Sequence, residues 1–154
     1  MKIRIIIEPL IDGKKAEVYT VRVFGNEDSE YKIFCNEFST NYSETISKIN
    51  RLIIKMAEKH GNRDIYFENE GTNCVYKFKD TGILRLYCIR YGSLAIIVGG
   101  GDTKEPWINT YQEKESLDKA VRMLRAIDRY LDDNSIIVDD LHQIINKEIE
   151  IDIK

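Results

Sequence analysis

The chain begins with two short runs in which apolar and polar residues alternate, which is the period of a β-strand. The first run is centred on Ile5, and the second covers residues 17–24. Between them, Asp12-Gly13 suits a tight turn. The pattern therefore predicts an N-terminal β-hairpin over residues 1–24.

Apolar positions then change to the spacing of an α-helix. Ser29 is placed to cap a short helix that ends near Phe38, and Ser43 to cap a longer one. In the longer helix apolar residues recur every three or four positions up to Gly61, which suits a helix stop. These features predict a helical hairpin.

Three further β-runs follow, over residues 74–79, 83–91 and 94–99. The joints between them, Asp80-Thr81-Gly82 and Tyr91-Gly92-Ser93, are short and have the composition of turns. This pattern predicts a three-stranded antiparallel meander.

The last third of the chain returns to helical spacing between Leu117 and Leu131, where apolar residues mark one face of a long helix. The tail over residues 132–154 ends in an alternating run, Ile149 to Ile153, which suits either an edge strand or a partner-binding tail. No repeat or linker interrupts the chain. We therefore expect one α+β domain over residues 1–154, with helices packed on a sheet.

Composition agrees with this picture. The chain has 154 residues, 43% of them hydrophobic and 32% charged, which is enough for an ordinary core. Its three cysteines are widely spaced and form no C-x-x-C pair, which is typical of a reduced, cytoplasmic protein. An apolar run of about 20 residues, as a membrane span requires, is absent from the sequence, and Glu8-Pro9 interrupts the only signal-like segment.

The distribution of charge along the chain indicates where an anion could bind. The formal net charge is -3, which argues against a protein that simply coats nucleic acid. However, residues 45–104 hold 10 basic and 6 acidic groups, whereas residues 1–44 hold 6 and 8, and residues 105–154 hold 7 and 12. Any site for an anion is therefore expected in the helical hairpin or the meander.

Cations alternate with apolar residues along the meander. Strand periodicity places Lys77 with Lys79, and Arg85 with Tyr87, and Arg90 ends the second run. We expect one face of the meander to pack on helices and the basic face to point outward, where cations could bind RNA phosphates and Tyr87 could stack on a base. The alternative is an ordinary solvated sheet face.

The stretch from Tyr76 to Tyr87 places Lys77 and Lys79 ahead of a glycine turn and Arg85 in the next strand. A strand into a second glycine turn and an aromatic-bearing loop follow. This arrangement resembles the RelE/HigB-like toxins of bacterial toxin–antitoxin systems, over roughly residues 30–131. The resemblance implies two helices ahead of a curved antiparallel sheet, with a further helix behind it. The hairpin over residues 1–24 and the extension over residues 132–154 would then be additions.

The resemblance also implies a function: an endoribonuclease that cleaves messenger RNA in the ribosomal A site, with neither cofactor nor metal, and is neutralised by a cognate antitoxin. No direct DNA partner is expected. Lys77 and Lys79 would supply the general base and bind phosphate, Arg85 would offset developing charge, Lys104 would act as general acid, and Tyr111 would stack on a base.

Three departures from the family pattern leave a second possibility open. The chain is net acidic, lysine stands at position 104 where arginine is usual, and both termini are extended. The alternative is a catalytically silent protein of RelE-like fold that binds a protein partner.

Other motifs predict less. Gly99-Gly100-Gly101 lacks the spacing of a nucleotide-binding loop, and His60 and His142 have no metal-ligand neighbours, so both are expected at the surface. Trp107 follows a proline in a loop, where it either covers the core or anchors a partner, and we favour the core.

Overall fold

The computed structural model describes residues 1–70, 74–92 and 94–154, and within these ranges the chain forms seven strands and three α-helices. The strands are β1 (Lys2–Asp12), β2 (Glu17–Val23), β3 (Phe67–Asn69), β4 (Val75–Phe78), β5 (Leu84–Tyr91), β6 (Ala95–Thr103) and β7 (Glu148–Asp152). The helices are α1 (Glu30–Phe38), α2 (Ser43–Lys55) and α3 (Glu115–Asp133).

All seven strands belong to one open sheet, in the order β3-β4-β5-β6-β2-β1-β7. Neighbouring strands are antiparallel except β2 and β6, which run parallel. The predicted N-terminal hairpin and the predicted meander are both confirmed. They meet at the β2–β6 pair, so the hairpin extends the meander's sheet.

The helical hairpin forms close to its predicted bounds. Ser29 caps α1, its side chain accepting a hydrogen bond from the backbone N–H of Lys32 (3.2 Å). The prediction that Ser43 caps α2 is wrong, because Tyr42 holds that position and Ser43 is the first helical residue. The helix continues through a π-helical turn over Met56–His60 and stops at Gly61, which has a positive φ of 71°.

Helices cover both faces of the sheet. On one face α1 and α2 bury residues such as Phe34 and Ile49 against Leu86 and Ile96. On the other face α3 packs against a second core that includes Tyr87. The expectation of an outward-facing basic face of the meander is therefore wrong, because α3 covers that face.

The C-terminal run is an edge strand rather than a loose tail. Strand β7 pairs antiparallel with β1, with Ile151 opposite Ile3 and Ile149 opposite Ile5. Its isoleucines are buried beneath α3, while Glu148 and Glu150 are exposed near the cations of β1. The alternation in the sequence therefore reflects one buried and one solvated face.

The tryptophan and the three cysteines differ in their exposure. Trp107 is 76% exposed, so the expectation that it covers the core is wrong. Cys88 is fully buried and Cys35 and Cys74 are half-buried, and all three are free thiols. Within the described ranges, no helix has both the length and the apolarity needed to cross a membrane.

Candidate functional site

Three buried polar atoms mark a candidate site on the face of the sheet that α3 covers. They are Glu70 Oε2, Arg85 Nε and the Tyr87 hydroxyl, and in the described part of the chain no other buried side-chain nitrogen or oxygen lacks a hydrogen-bond partner. We call these three residues the polar cluster. Buried polar groups are normally paired, so three unpaired atoms single out these residues as a candidate site.

The charges of Glu70 and Arg85 both act on the pKa of Tyr87. Burial raises the pKa of the Tyr87 phenol, the Glu70 carboxylate raises it further, and the Arg85 guanidinium acts in the opposite direction. Tyr87 is 0% exposed and therefore stays protonated at neutral pH. The cluster thus offers a carboxylate, a cation and a phenol that can donate a hydrogen bond.

Lys77 adds a second cation. It is the cross-strand partner of Tyr87 in the β4–β5 ladder, so its side chain belongs to the same face of the sheet. Its side chain is 20% exposed, and its ammonium lies 3.8 Å from a carboxylate oxygen of Glu68. The lysine is therefore a partly solvent-exposed cation on the same face of the sheet as Tyr87.

Strand β5 holds Arg85 in place through its own turn and through β6. Arg85 Nη1 donates to the carbonyl oxygens of Gly82 (2.5 Å) and Leu84 (3.0 Å). On β6, a Cβ added to Gly101 would stand 1.7 Å from the Arg85 carbonyl oxygen. Only glycine allows this close approach of the two strands.

The loop that follows β6 is fastened at both ends. The Lys104 backbone N–H donates to the Ile83 carbonyl at 2.6 Å. Lys114 Nζ bonds the Thr103 carbonyl at 2.7 Å and Glu105 Oε1 at 2.9 Å. The exposed Trp107 therefore projects from an anchored loop.

Tyr111 follows that loop and lies in the core. It is 6% exposed, it belongs to the same buried core as Tyr87, and it contributes to raising the pKa of that phenol. Tyr87 and Tyr111 are thus both buried, and neither ring presents a face on which a base could stack. The sequence-based expectation of stacking by these two tyrosines is wrong for this structure.

Arg90 has structural partners. Its Nε donates to Asn62 Oδ1 at 2.7 Å, its Nη2 lies 2.8 Å from Asp64 Oδ1, and its side chain is 9% exposed. Its guanidinium also lies over the rings of Phe67 (4.5 Å) and Tyr76 (5.1 Å). These contacts stabilise the β3–β4 edge of the sheet.

Lys79 lies apart from Lys77. Strand β4 ends at Phe78, and the backbone N–H of Lys79 donates to the Tyr66 carbonyl at 2.9 Å. Lys79 lines a groove beside α2 rather than the face of the polar cluster. The expected shared surface of the two lysines is therefore not formed.

The structure thus brings together four of the seven residues predicted for the site, Lys77, Arg85, Tyr87 and Tyr111. It leaves Lys79 and Arg90 elsewhere and places Lys104 at the start of the anchored loop. Sequence reasoning missed Glu70, which follows the three-residue strand β3. A strand this short carries no periodic signal by which its neighbours could be located.

Comparison with protein-family models, with curated proteins and with solved structures gave no match to this chain.

Proposed function

We propose that this protein is a toxin-type endoribonuclease that cleaves messenger RNA by attack of a ribose 2'-hydroxyl on the adjacent phosphate. The proposal depends on one observation: the three buried atoms without partners belong to Tyr87 and to two charged residues that act on its pKa, and Lys77 lies opposite Tyr87 in the β4–β5 ladder. The reaction requires a proton acceptor, cations to offset the extra charge on phosphate, and hydrogen-bond donors. The cluster and Lys77 contain one or more groups of each kind.

Each residue then has a role. The Glu70 carboxylate accepts the 2'-hydroxyl proton as the bond between that oxygen and phosphorus forms. Arg85 and Lys77 offset the negative charge on the phosphate, and the protonated Tyr87 phenol donates a hydrogen bond to it. The bond to the 5'-oxygen breaks, with Lys104 as the proposed proton donor, and the products are a 2',3'-cyclic phosphate and a 5'-hydroxyl.

The order of the elements supports the same proposal. Two helices, an antiparallel meander and a long helix follow one another along the chain, as the resemblance to RelE/HigB-like toxins implies. A cognate antitoxin, messenger RNA in the ribosomal A site and a cytoplasmic place of action belong to this proposal.

One observation favours a second candidate. Tyr111, which the family resemblance implies for stacking on a base, is buried, and so is Tyr87, for which the strand pattern predicted the same role. A catalytically silent member of the same fold class, acting only by binding a protein partner, would not need a stacking tyrosine.

Expression of the protein in a bacterial host, followed by mapping of transcript ends, distinguishes the two candidates. The wild type should arrest growth and cut transcripts, whereas Glu70→Gln and Arg85→Ala should do neither. Arg85→Lys keeps the positive charge but replaces the planar guanidinium with an ammonium, and this variant should cut RNA slowly. Arg125→Ala removes an exposed arginine of α3 and should behave as the wild type.

The purified protein gives a chemical check. Cleavage through the 2'-hydroxyl leaves cyclic phosphate ends and stops when that oxygen is methylated. If the folded wild type cuts no RNA, with ribosomes or without them, the silent alternative replaces the nuclease. If Glu70→Gln and Arg85→Ala cut RNA as fast as the wild type, the polar cluster is not the catalytic site.

A further inference from the structure

A second surface of the protein is lined by cations that have no role in the polar cluster. It is a groove of about 380 Å³ between α2 and the β3–β4 edge of the sheet. Its lining includes four basic residues, which are Lys48, Arg51, Lys55 and Lys79. We call it the α2 groove.

The helix presents three of these cations in a row. Lys48, Arg51 and Lys55 are spaced by three and four residues and therefore share one face of α2. All three are exposed, and Lys79 faces them from the end of β4. The result is a line of positive charge opposed by a fourth cation.

These charges are not neutralised within the described part of the protein. Ten ion pairs are formed there, and none includes a basic residue of the α2 groove. Lys48 Nζ is held by the Asp80 carbonyl at 3.0 Å, which positions the ammonium without cancelling its charge. Asp80 is the single acidic residue in the lining. A ligand with several negative charges would complement this surface.

Apolar groups in the same groove indicate which class of anionic ligand it suits. Ile65 is 65% exposed, and the ring of Tyr66 is half-buried beside it. Single-stranded nucleic acid binds proteins in this way: its phosphates lie on cations, and its bases or riboses pack against aromatic and aliphatic side chains. We infer that the α2 groove binds the phosphate backbone of single-stranded RNA, at a surface separate from the polar cluster. This inference rests on the proposed function, since it takes the same RNA as the ligand.

Fluorescence anisotropy with a short, labelled, fully 2'-O-methylated RNA tests the inference, because that RNA binds but is not cleaved through its 2'-oxygen. Arg51→Gln/Lys55→Gln should bind roughly tenfold more weakly than the wild type at moderate salt. The slope of log affinity against log salt should fall by about 0.7 for each lost phosphate contact. The matched control is Lys14→Gln/Lys147→Gln, which removes two exposed cations outside the groove and should weaken binding far less.

Equal binding by the two double variants would overturn the inference, because net charge alone would then explain the affinity. Tighter binding of a labelled poly-glutamate peptide than of RNA, lost in the groove variant, would also overturn it in favour of an acidic protein partner. Failure of the proposed nuclease gives a different result: RNA stays uncut while binding still depends on the groove.

Discussion

Lys77 lies directly opposite Tyr87 in the β4–β5 ladder, yet only the lysine reaches solvent. The Tyr87 hydroxyl is fully buried and has no hydrogen-bond partner in the described structure. This pair marks the boundary between the surface and the polar cluster. Lys77 and Tyr87 therefore give the same face of the sheet one solvent-accessible and one buried polar group.

Removing the Tyr87 hydroxyl should stabilise the protein. An unpaired buried hydroxyl costs about 1–3 kcal/mol, so Tyr87→Phe should raise the free energy of unfolding by about 1 kcal/mol. The same variant should cut RNA more slowly, because a donor to the phosphate is lost. Urea titration and the cleavage assay measure the two effects, and a variant that is less stable than the wild type would contradict the absence of a partner.

Arg90→Ala should act on stability. It removes the cation packed against Phe67 and Tyr76 and leaves the Oδ1 of the buried Asn62 without its donor. We expect a loss of about 2–3 kcal/mol in the free energy of unfolding. Arg125→Ala should change it by less than about 0.5 kcal/mol. A direct RNA contact by Arg90 would instead appear as weaker binding at unchanged stability.

Gly101→Ala should displace β5 from β6. Its new methyl group would collide with the Arg85 carbonyl oxygen, and neither backbone can move freely within a paired ladder. We expect a loss of about 3 kcal/mol or more, together with slower cleavage. Gly100→Ala is the control, because the nearest atom to its methyl would be Glu30 Oε2 at 3.2 Å, the end of a flexible side chain, and the change should cost less than about 1 kcal/mol.

The anchored loop should weaken in acid. A hydrogen bond from Lys114, and then one from Thr103, lowers the pKa of Glu105 below its ordinary value. The pKa of Glu105 in the folded protein therefore lies below its unfolded value of about 4.3. The contribution of the Glu105–Lys114 pair to folding stability is fully present above the unfolded pKa and is lost as pH falls through the folded pKa.

Thermal melting between about pH 5 and pH 3 measures this loss. Lys114→Gln should be less stable than the wild type at pH 5, and the gap between the two should narrow as pH falls. The thermal stability of the control variant Arg125→Gln should change with pH as that of the wild type does. A gap that stays constant over this range would contradict the assigned pairing.

Local patterns were sufficient to predict most elements. The alternation around Ile5 and from Glu17, the turn at Asp80-Thr81-Gly82 and the apolar face of α3 each depend on residues close together in sequence. The structure confirms the hairpin, the meander and the long helix they predict. Backbone geometry and the pairing of near neighbours determine these features, so sequence spacing records them.

Exposure of each face could not be predicted in this way. Alternation placed Tyr87 and Arg85 on one face but could not tell whether solvent or α3 would cover it, because α3 begins about thirty residues later. Spacing likewise paired Lys79 with Lys77, whereas β4 ends between them and Lys79 joins the α2 groove. Strand periodicity holds only within a strand.

The sequence by itself therefore determined the kinds of element, their order and the concentration of positive charge in residues 45–104. Only the tertiary structure decided that the Tyr87 phenol is buried and is influenced by the charges of Glu70 and Arg85, that Arg90 has structural partners and Tyr111 is buried, and that four basic residues line the α2 groove. These outcomes depend on contacts between elements distant in the chain, and such contacts follow from how the helices pack on the two faces of the sheet.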